Sequence, residues 1–280
     1  MIPFDFEYYL PDTLKEASEI FVTLQKEGRS PLYYGGGTEI ISMARVMNVT
    51  PGAVIDIKKI PECLEFGIND NHITIGAAVT LAKITASGIF PLLGLAAGRI
   101  ADHTVQEKIT LGGNLAGTII YHESLLPLLI SDSSVCLQSA EGLKEAPVPE
   151  VFSGGGLRPG ELIVKISLEK KFAQCPYFHI KKSKIEKIGY PLVTVCVLLY
   201  DNVMRTAVSG LCHFPLRLAD VPLDPDTDEA VLAENLVRNI SAPIRNDASG
   251  SADYRTFILI KTVESIIREL KQIKKDKINA

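Results

Sequence analysis

An α+β chain in two units is the fold class that the residue pattern predicts, and three observations carry it. Two glycine clusters, Gly35-Gly36-Gly37-Thr38-Glu39 and Thr110-Leu111-Gly112-Gly113-Asn114, each lie between an apolar strand-like or helix-like run and a helix-compatible segment. Beyond Lys170-Lys171 the pattern changes to consecutive antiparallel strands, and two segments of helical periodicity follow them. A boundary near Phe172 to Pro176 separates the two patterns, and 280 residues are enough for two medium domains.

In the first unit Pro11-Asp12-Thr13 opens a helix through Leu14, Ala17, Ile20, Phe21 and Leu24 that ends at Gly28. Leu32-Tyr33-Tyr34 is a short strand delivering the first glycine cluster. Ile40, Ile41, Met43, Ala44 and Val46 form a helix beyond it, and Ala53 to Ile57 form a second strand. Leu64 to Ile68 and His72 to Ile75 make a hairpin about Asn69-Asp70-Asn71, residues that tolerate turn geometry. Pro91 to Ile100 carries a long buried helix just upstream of the second cluster. A helix over Ser124 to Ile130 and strands over Ser134 to Gln138 and Leu162 to Leu168 complete the unit. In the second unit the strands are Tyr177 to Ile180, Leu192 to Tyr200 and Met204 to Leu211, and the helices Asp226 to Ile240 and Tyr254 to Leu270.

A formal net charge of −4 provides no basic field for a nucleic-acid backbone. The start Met1-Ile2-Pro3-Phe4-Asp5 lacks a basic, apolar leader, and every apolar run is broken before eighteen residues, so a soluble cytoplasmic protein is expected. The five cysteines have no CxxC pair and no histidine clustering, which argues against a metal or iron–sulfur site of the chain's own. Cys196 reads as a core thiol.

Strung glycines let consecutive backbone amides face one anionic oxygen, and a following Thr or Asn adds a neutral donor. The paired clusters therefore read as a two-loop clamp for a diphosphate, and a nucleotide cofactor follows. Neither cluster has the spacing of a dinucleotide-binding G-x-G-x-x-G motif, and no Gly-Lys-Ser/Thr occurs. The third run, Gly154-Gly155-Gly156, has proline-rich flanks and reads as a surface turn. Ser153 lacks a hydrolase elbow, and His103 and His122 have no visible orienting partner. Glu123 either accepts hydrogen bonds from a ribityl or ring N–H group or caps the helix at Ser124. The residues alone leave these two readings even.

Together these residues resemble the FAD-binding middle subunit of the molybdenum hydroxylases, the family of xanthine dehydrogenase and carbon monoxide dehydrogenase. The resemblance runs through Pro11-Asp12-Thr13-Leu14, Gly35-Gly36-Gly37-Thr38-Glu39, Val54-Ile55-Asp56-Ile57, Ile75-Gly76-Ala77-Ala78 and Thr110-Leu111-Gly112-Gly113-Asn114, the most specific stretch, to Ala248 through Arg255. It implies a vanillyl-alcohol-oxidase-type FAD-binding domain over 1–173, with lobes of about 1–57 and 58–173. A small α+β domain with a three-stranded antiparallel sheet would follow over 174–280. Carried over residue by residue, it implies that Tyr34, Gly35, Gly36, Gly37, Thr38 and Glu39 bind the FAD pyrophosphate through backbone amides, with Thr110, Gly113 and Asn114 completing the clamp. Glu123 matches an Asp at the flavin end, Ile163 an apolar position beside the isoalloxazine or adenine, and Lys181 a Lys near the ring. No catalytic acid–base residue is implied.

The chain departs from the family pattern at Thr104-Val105-Gln106-Glu107, at Thr118-Ile119-Ile120 and at Ile185-Glu186. The function implied is that of an FAD-binding electron-transfer subunit. It would work with a molybdopterin-binding large subunit and a small subunit holding two two-iron two-sulfur clusters, and pass electrons to NAD or another acceptor. The alternatives are a scaffold subunit without FAD and a stand-alone flavin oxidoreductase.

Overall fold

A computed structural model of the chain describes residues 1–152, 156–183 and 189–279. Gly154 and Gly155 of the third glycine run, and Ile185-Glu186, lie outside the described residues.

The first lobe is a three-stranded parallel sheet in the order β1-β3-β2: β1 (Glu7–Tyr9), β2 (Pro31–Tyr34) and β3 (Ala53–Asp56). All four residues of β3 are buried, as expected of a central parallel strand covered on both faces. Helix α1 (Leu14–Lys26) links β1 to β2. Its Thr13 side chain accepts from the Glu16 amide at 3.2 Å, and the Glu16 carboxylate accepts from the Asp12 amide at 2.8 Å. These two side-chain bonds start the helix where the Pro11-Asp12-Thr13 signal put it. Helix α2 (Thr38–Arg45) makes the crossover from β2 to β3.

The second lobe is an antiparallel sheet with the order β4-β5-β8-β6-β7. Its strands are β4 (Phe66–Asn69), β5 (His72–Gly76), β6 (Ser134–Ser139), β7 (Gly142–Pro147) and β8 (Leu162–Glu169). Short helices cover it: α3 (Pro61–Leu64), α4 (Leu81–Ser87), α5 (Pro91–Ala97), α6 (His103–Gln106), α7 (Leu111–Ala116), α8 (Leu125–Leu129) and α9 (Val148–Phe152). The predicted long helix of Pro91 to Ile100 is thus shorter. It stops at Gly98, and buried Gln106 donates to the carbonyls of Gly98, Ile100 and Ala101 in the turn that follows. Strand β7 was not predicted. It is an edge strand with Leu143, Lys144 and Glu145 exposed, so its sequence lacks the apolar alternation that marks a half-buried strand.

The C-terminal part holds β9 (Tyr177–Ser183), β10 (Pro191–Tyr200) and β11 (Val203–Ser209), three long antiparallel strands extended by the two-residue β12 (Leu216–Arg217) and β13 (Val221–Pro222). Helices α10 (Glu229–Arg238) and α11 (Ala252–Asn279) pack on one face. β10 is apolar but for Thr194 and the terminal Tyr200 because it is buried on both sides. Val193, Val195 and Val197 join the helices' core, whereas Cys196 and Leu198 join the core of the first two lobes. Fully buried Arg255 pins the helix layer to the sheet, donating to the Gly210 carbonyl at 2.8 Å and to Asp247 at 2.7 Å. Among the described residues no helix is long and apolar enough to cross a membrane, and no His, Cys, Asp and Glu group is arranged to hold a metal ion.

Candidate functional site

A cleft of about 940 Å³ runs between the two lobes and reaches the C-terminal sheet at Lys181. That volume lies at the upper end for small-molecule sites. Gly35, Gly36, Gly37, Thr38 and Glu39 form part of one wall. Thr110, Gly113 and Asn114 form part of the other, and Glu123, Ile163 and Lys181 lie along the same cleft.

The first glycine cluster is the end of β2 turning into α2. Gly37 is the helix N-cap with φ +70°, and a Cβ there would sit 2.1 Å from the Tyr34 hydroxyl. Having no side chain, it leaves the first turn of α2 uncapped. The amides of Gly36, Gly37 and that first turn have no acceptor among the described residues, and the positive end of the helix dipole adds to them. An anion fits such a set of donors.

The second cluster differs from expectation. Gly112 and Gly113 lie inside α7 rather than in a loop, and its amides are already used. Leu111 N–H donates to the Val79 carbonyl at 2.8 Å, Gly112 to Ala77 at 2.9 Å, Gly113 to the Thr110 hydroxyl at 3.2 Å and Asn114 to the Thr110 carbonyl at 2.9 Å. Of the two glycine clusters, only the first therefore offers free backbone amides to the cleft. The second wall offers the Thr110 hydroxyl proton and the Asn114 side-chain amide, whose oxygen accepts from the Ser124 amide at 3.3 Å. Glycine here serves close approach instead: a Cβ on Gly112 would lie 2.6 Å from that of Ala77. Between the lobes a Cβ on Gly36 would lie 1.6 Å from the Lys108 carbonyl oxygen. Only Gly37 of these glycines has positive φ, so backbone strain is an argument at that position alone.

Two predicted residues, Tyr34 and Glu39, direct their side chains to the protein, which leaves the backbone-amide role implied for them untouched. Tyr34 is absent from the cleft wall, since its ring packs behind Gly37 while Tyr33, its neighbour in β2, lines the cleft. Adjacent strand residues point to opposite faces, so only one of the two side chains lines the cleft. The Glu39 carboxylate accepts from the Thr118 amide at 2.7 Å and from its hydroxyl at 2.6 Å, linking the two walls.

At the far end Glu123 is not a helix cap. Ser124 is the N-cap of α8 and makes no side-chain cap bond, whereas both Glu123 oxygens are engaged across the domains. Thr194 of β10 donates to Oε1 at 2.9 Å and Lys181 of β9 to Oε2 at 2.9 Å. Lys181 also donates to the Arg99 carbonyl at 2.9 Å. Both side chains of this ion pair are more than nine-tenths buried, and burial pushes the Glu123 carboxyl above the ordinary carboxylate range against the pull of Lys181.

Other cleft residues escaped the sequence reading. Tyr33 stacks on Phe21 with ring centroids 4.9 Å apart, and Tyr121 stacks on Tyr190 at 4.8 Å with the Arg245 guanidinium 5.7 Å from the Tyr121 ring. Alternation along β2 was a signal for Tyr33; the Tyr121–Tyr190 pair joins distant segments and left no local trace. His122 also lines the cleft, with Nδ1 3.0 Å from the Asn114 carbonyl oxygen.

A family model described as "FAD binding domain in molybdopterin dehydrogenase" matches residues 4–169. The nicotinate dehydrogenase FAD-subunit of Eubacterium barkeri is 26% identical over 251 residues, covering 81% of this chain and 84% of that protein. The carbon monoxide dehydrogenase medium chain of Afipia carboxidovorans is 26% identical over 275 residues, covering 91% and 93%. A solved Cu,Mo-CO dehydrogenase chain superposes with a TM-score of 0.84 at 21% identity, over 97% of this chain and 99% of that one. At that identity the likeness shows the fold, which is of the vanillyl-alcohol-oxidase type. With its uncapped amides, its glycine-lined lobe contact and a cleft of dinucleotide size, the chain belongs to the FAD-binding medium subunits of the molybdenum hydroxylases, oxidoreductase subunits whose cofactor is FAD.

Proposed function

We propose that this chain is the electron-exit subunit of a molybdenum hydroxylase complex in the cytoplasm. It would take electrons from the two-iron two-sulfur clusters of a small subunit and deliver them to NAD or another acceptor, while a molybdopterin-binding large subunit oxidises the organic substrate. The observation that carries the reading is the row of unpartnered amides at Gly36, Gly37 and the start of α2, opening into the cleft between the lobes. Those amides would hold the FAD diphosphate, with Thr110 and Asn114 opposite. Ile163 and the Glu123–Lys181 pair would border the far end of the cofactor. Bound FAD supplies uptake of single electrons and release of a pair as hydride. The chain's own residues bind it, fix its place and shield it, so no acid–base residue is assigned. The division at 173/174 is part of this proposal, supported by the two core clusters and by β10 lying between them.

A visible absorption spectrum of the purified chain, before and after adding FAD, tests the reading. A stoichiometric flavin band that bleaches with NADH is expected once the partner subunits are present. A colourless chain that ignores added FAD yet assembles with its partners would refute cofactor binding and make it a scaffold.

A further inference from the structure

We propose that Lys58, anchored by Asp56, is a positioning residue that turns the Gly36 amide of the first glycine cluster into the cleft. The proposal rests on the cleft being the FAD site and adds to it a residue outside the cofactor's reach.

Asp56 ends β3 and is 2% exposed. Its Oδ1 accepts from the Lys58 backbone amide at 2.9 Å, and its Oδ2 from the Tyr8 hydroxyl at 2.6 Å and the Lys58 ammonium at 2.6 Å. Strand β1 thus contributes Tyr8, β3 contributes Asp56, and together they fix the Lys58 side chain. The ammonium lies 4.5 Å from the centre of the Tyr34 ring and donates to the Gly35 carbonyl oxygen at 2.8 Å.

That last bond has a consequence through the peptide plane. The chain has no cis peptide bond among its described residues, so the Gly35 C=O and the Gly36 N–H are antiparallel. Holding the oxygen toward Lys58, which is not part of the cleft wall, directs the Gly36 N–H the opposite way, where Gly36 lines the cleft. Glycine on both sides of this peptide removes the Cβ contacts that bias a peptide orientation elsewhere. The Lys58 bond supplies the missing bias. No acceptor within the described residues competes for the Gly36 amide.

FAD titrations of the full-length chain, followed by flavin fluorescence, test this when paired with melting of the FAD-free proteins. Lys58→Met and Asp56→Asn should each weaken FAD binding about tenfold, one lost hydrogen bond's worth, while Lys58→Arg restores most of the affinity. Melting temperatures of the FAD-free variants should fall much less than that of Glu123→Gln, because Lys58 is half-exposed and the residue 56 side chain keeps the Tyr8 hydroxyl and the residue 58 backbone amide as partners. Asp56→Asn is the decisive variant, because it removes a negative charge beside the diphosphate site. If Lys58 and Asp56 act only through their charges, Asp56→Asn binds FAD more tightly, and the proposal is overturned. It is also overturned if Lys58→Met binds FAD like the wild type, or if affinity falls only in proportion to melting temperature. A wild-type chain that binds no FAD in the same titration would overturn the cofactor reading itself, and this proposal with it.

Discussion

Glu123 shows how one side chain changes meaning once its partners are known. Its place beside the second glycine cluster suggested flavin contact or helix capping, but Lys181 and Thr194 occupy its two oxygens. Removing one charge from a buried pair strands the other. Glu123→Gln should therefore cost about 3–5 kcal/mol in urea unfolding, and the double variant Glu123→Gln/Lys181→Met should recover much of it. Double-variant stability equal to that of Glu123→Gln alone would refute this account. Gly37 is the residue at which backbone strain matters, with φ +70° and the Tyr34 ring behind it. Gly37→Ala should cost at least about 1–2 kcal/mol from the left-handed conformation alone. It should also weaken FAD binding, as the same titration measures.

At the level of elements, local pattern was enough wherever one strand or helix buries one face or both. The start of α1, the hairpin about Asp70, the largely apolar run of β10 and the periodicity of α11 were all legible. Short elements such as β1, α6, α9, β12 and β13 were not, and neither were two longer ones. β7 sits at a sheet edge and presents charged side chains to solvent, so nothing in its composition marks it as a strand. In the Thr110 to Asn114 segment Gly-Gly disfavours a helix locally, yet Thr110 caps one there and the Val79 and Ala77 carbonyls hold its first amides. Those two carbonyls come from a segment some thirty residues earlier, and that distance kept them out of local view.

Over the whole molecule the FAD-binding lobes and the C-terminal sheet are joined by a polar contact as well as an apolar one. His179 of β9 is buried, and Arg99, just past α5, donates to its Nδ1 at 3.0 Å and to its backbone carbonyl. Arginine only donates, so the ring is neutral with its proton on Nε2, which has no partner. Burial, then the Arg99 and Lys181 charges, depress its pKa to about 3. A histidine depressed in the folded state contributes stability that is complete above the ordinary value of 6.5 and is lost as pH falls through the window toward 3. Unfolding free energy should decline below pH 6.5 by up to about 1.4 kcal/mol per pH unit from this group. His179→Gln should remove that decline. Unfolding curves for both proteins at pH 7.5 and 5.5 isolate it, since the opposite slope expected of Glu123, whose pKa is raised, is common to both. An identical pH dependence in the two would show that His179 does not govern it.

By itself the sequence determined the α+β class, the longer strands and helices, the glycine clusters and, through their resemblance, the family and its cofactor. These follow from interactions within a turn or between neighbouring strands, which periodicity and capping record directly. Only the tertiary structure decided that Tyr33 rather than Tyr34 lines the cleft, that the Glu39 and Glu123 carboxylates are held by protein partners, and that of the two glycine clusters only the first keeps free amides among the described residues. Each depends on where a distant carbonyl, hydroxyl or ammonium lies, and hydrogen-bond donors are satisfied by whichever acceptor the fold brings near, not by the nearest in sequence.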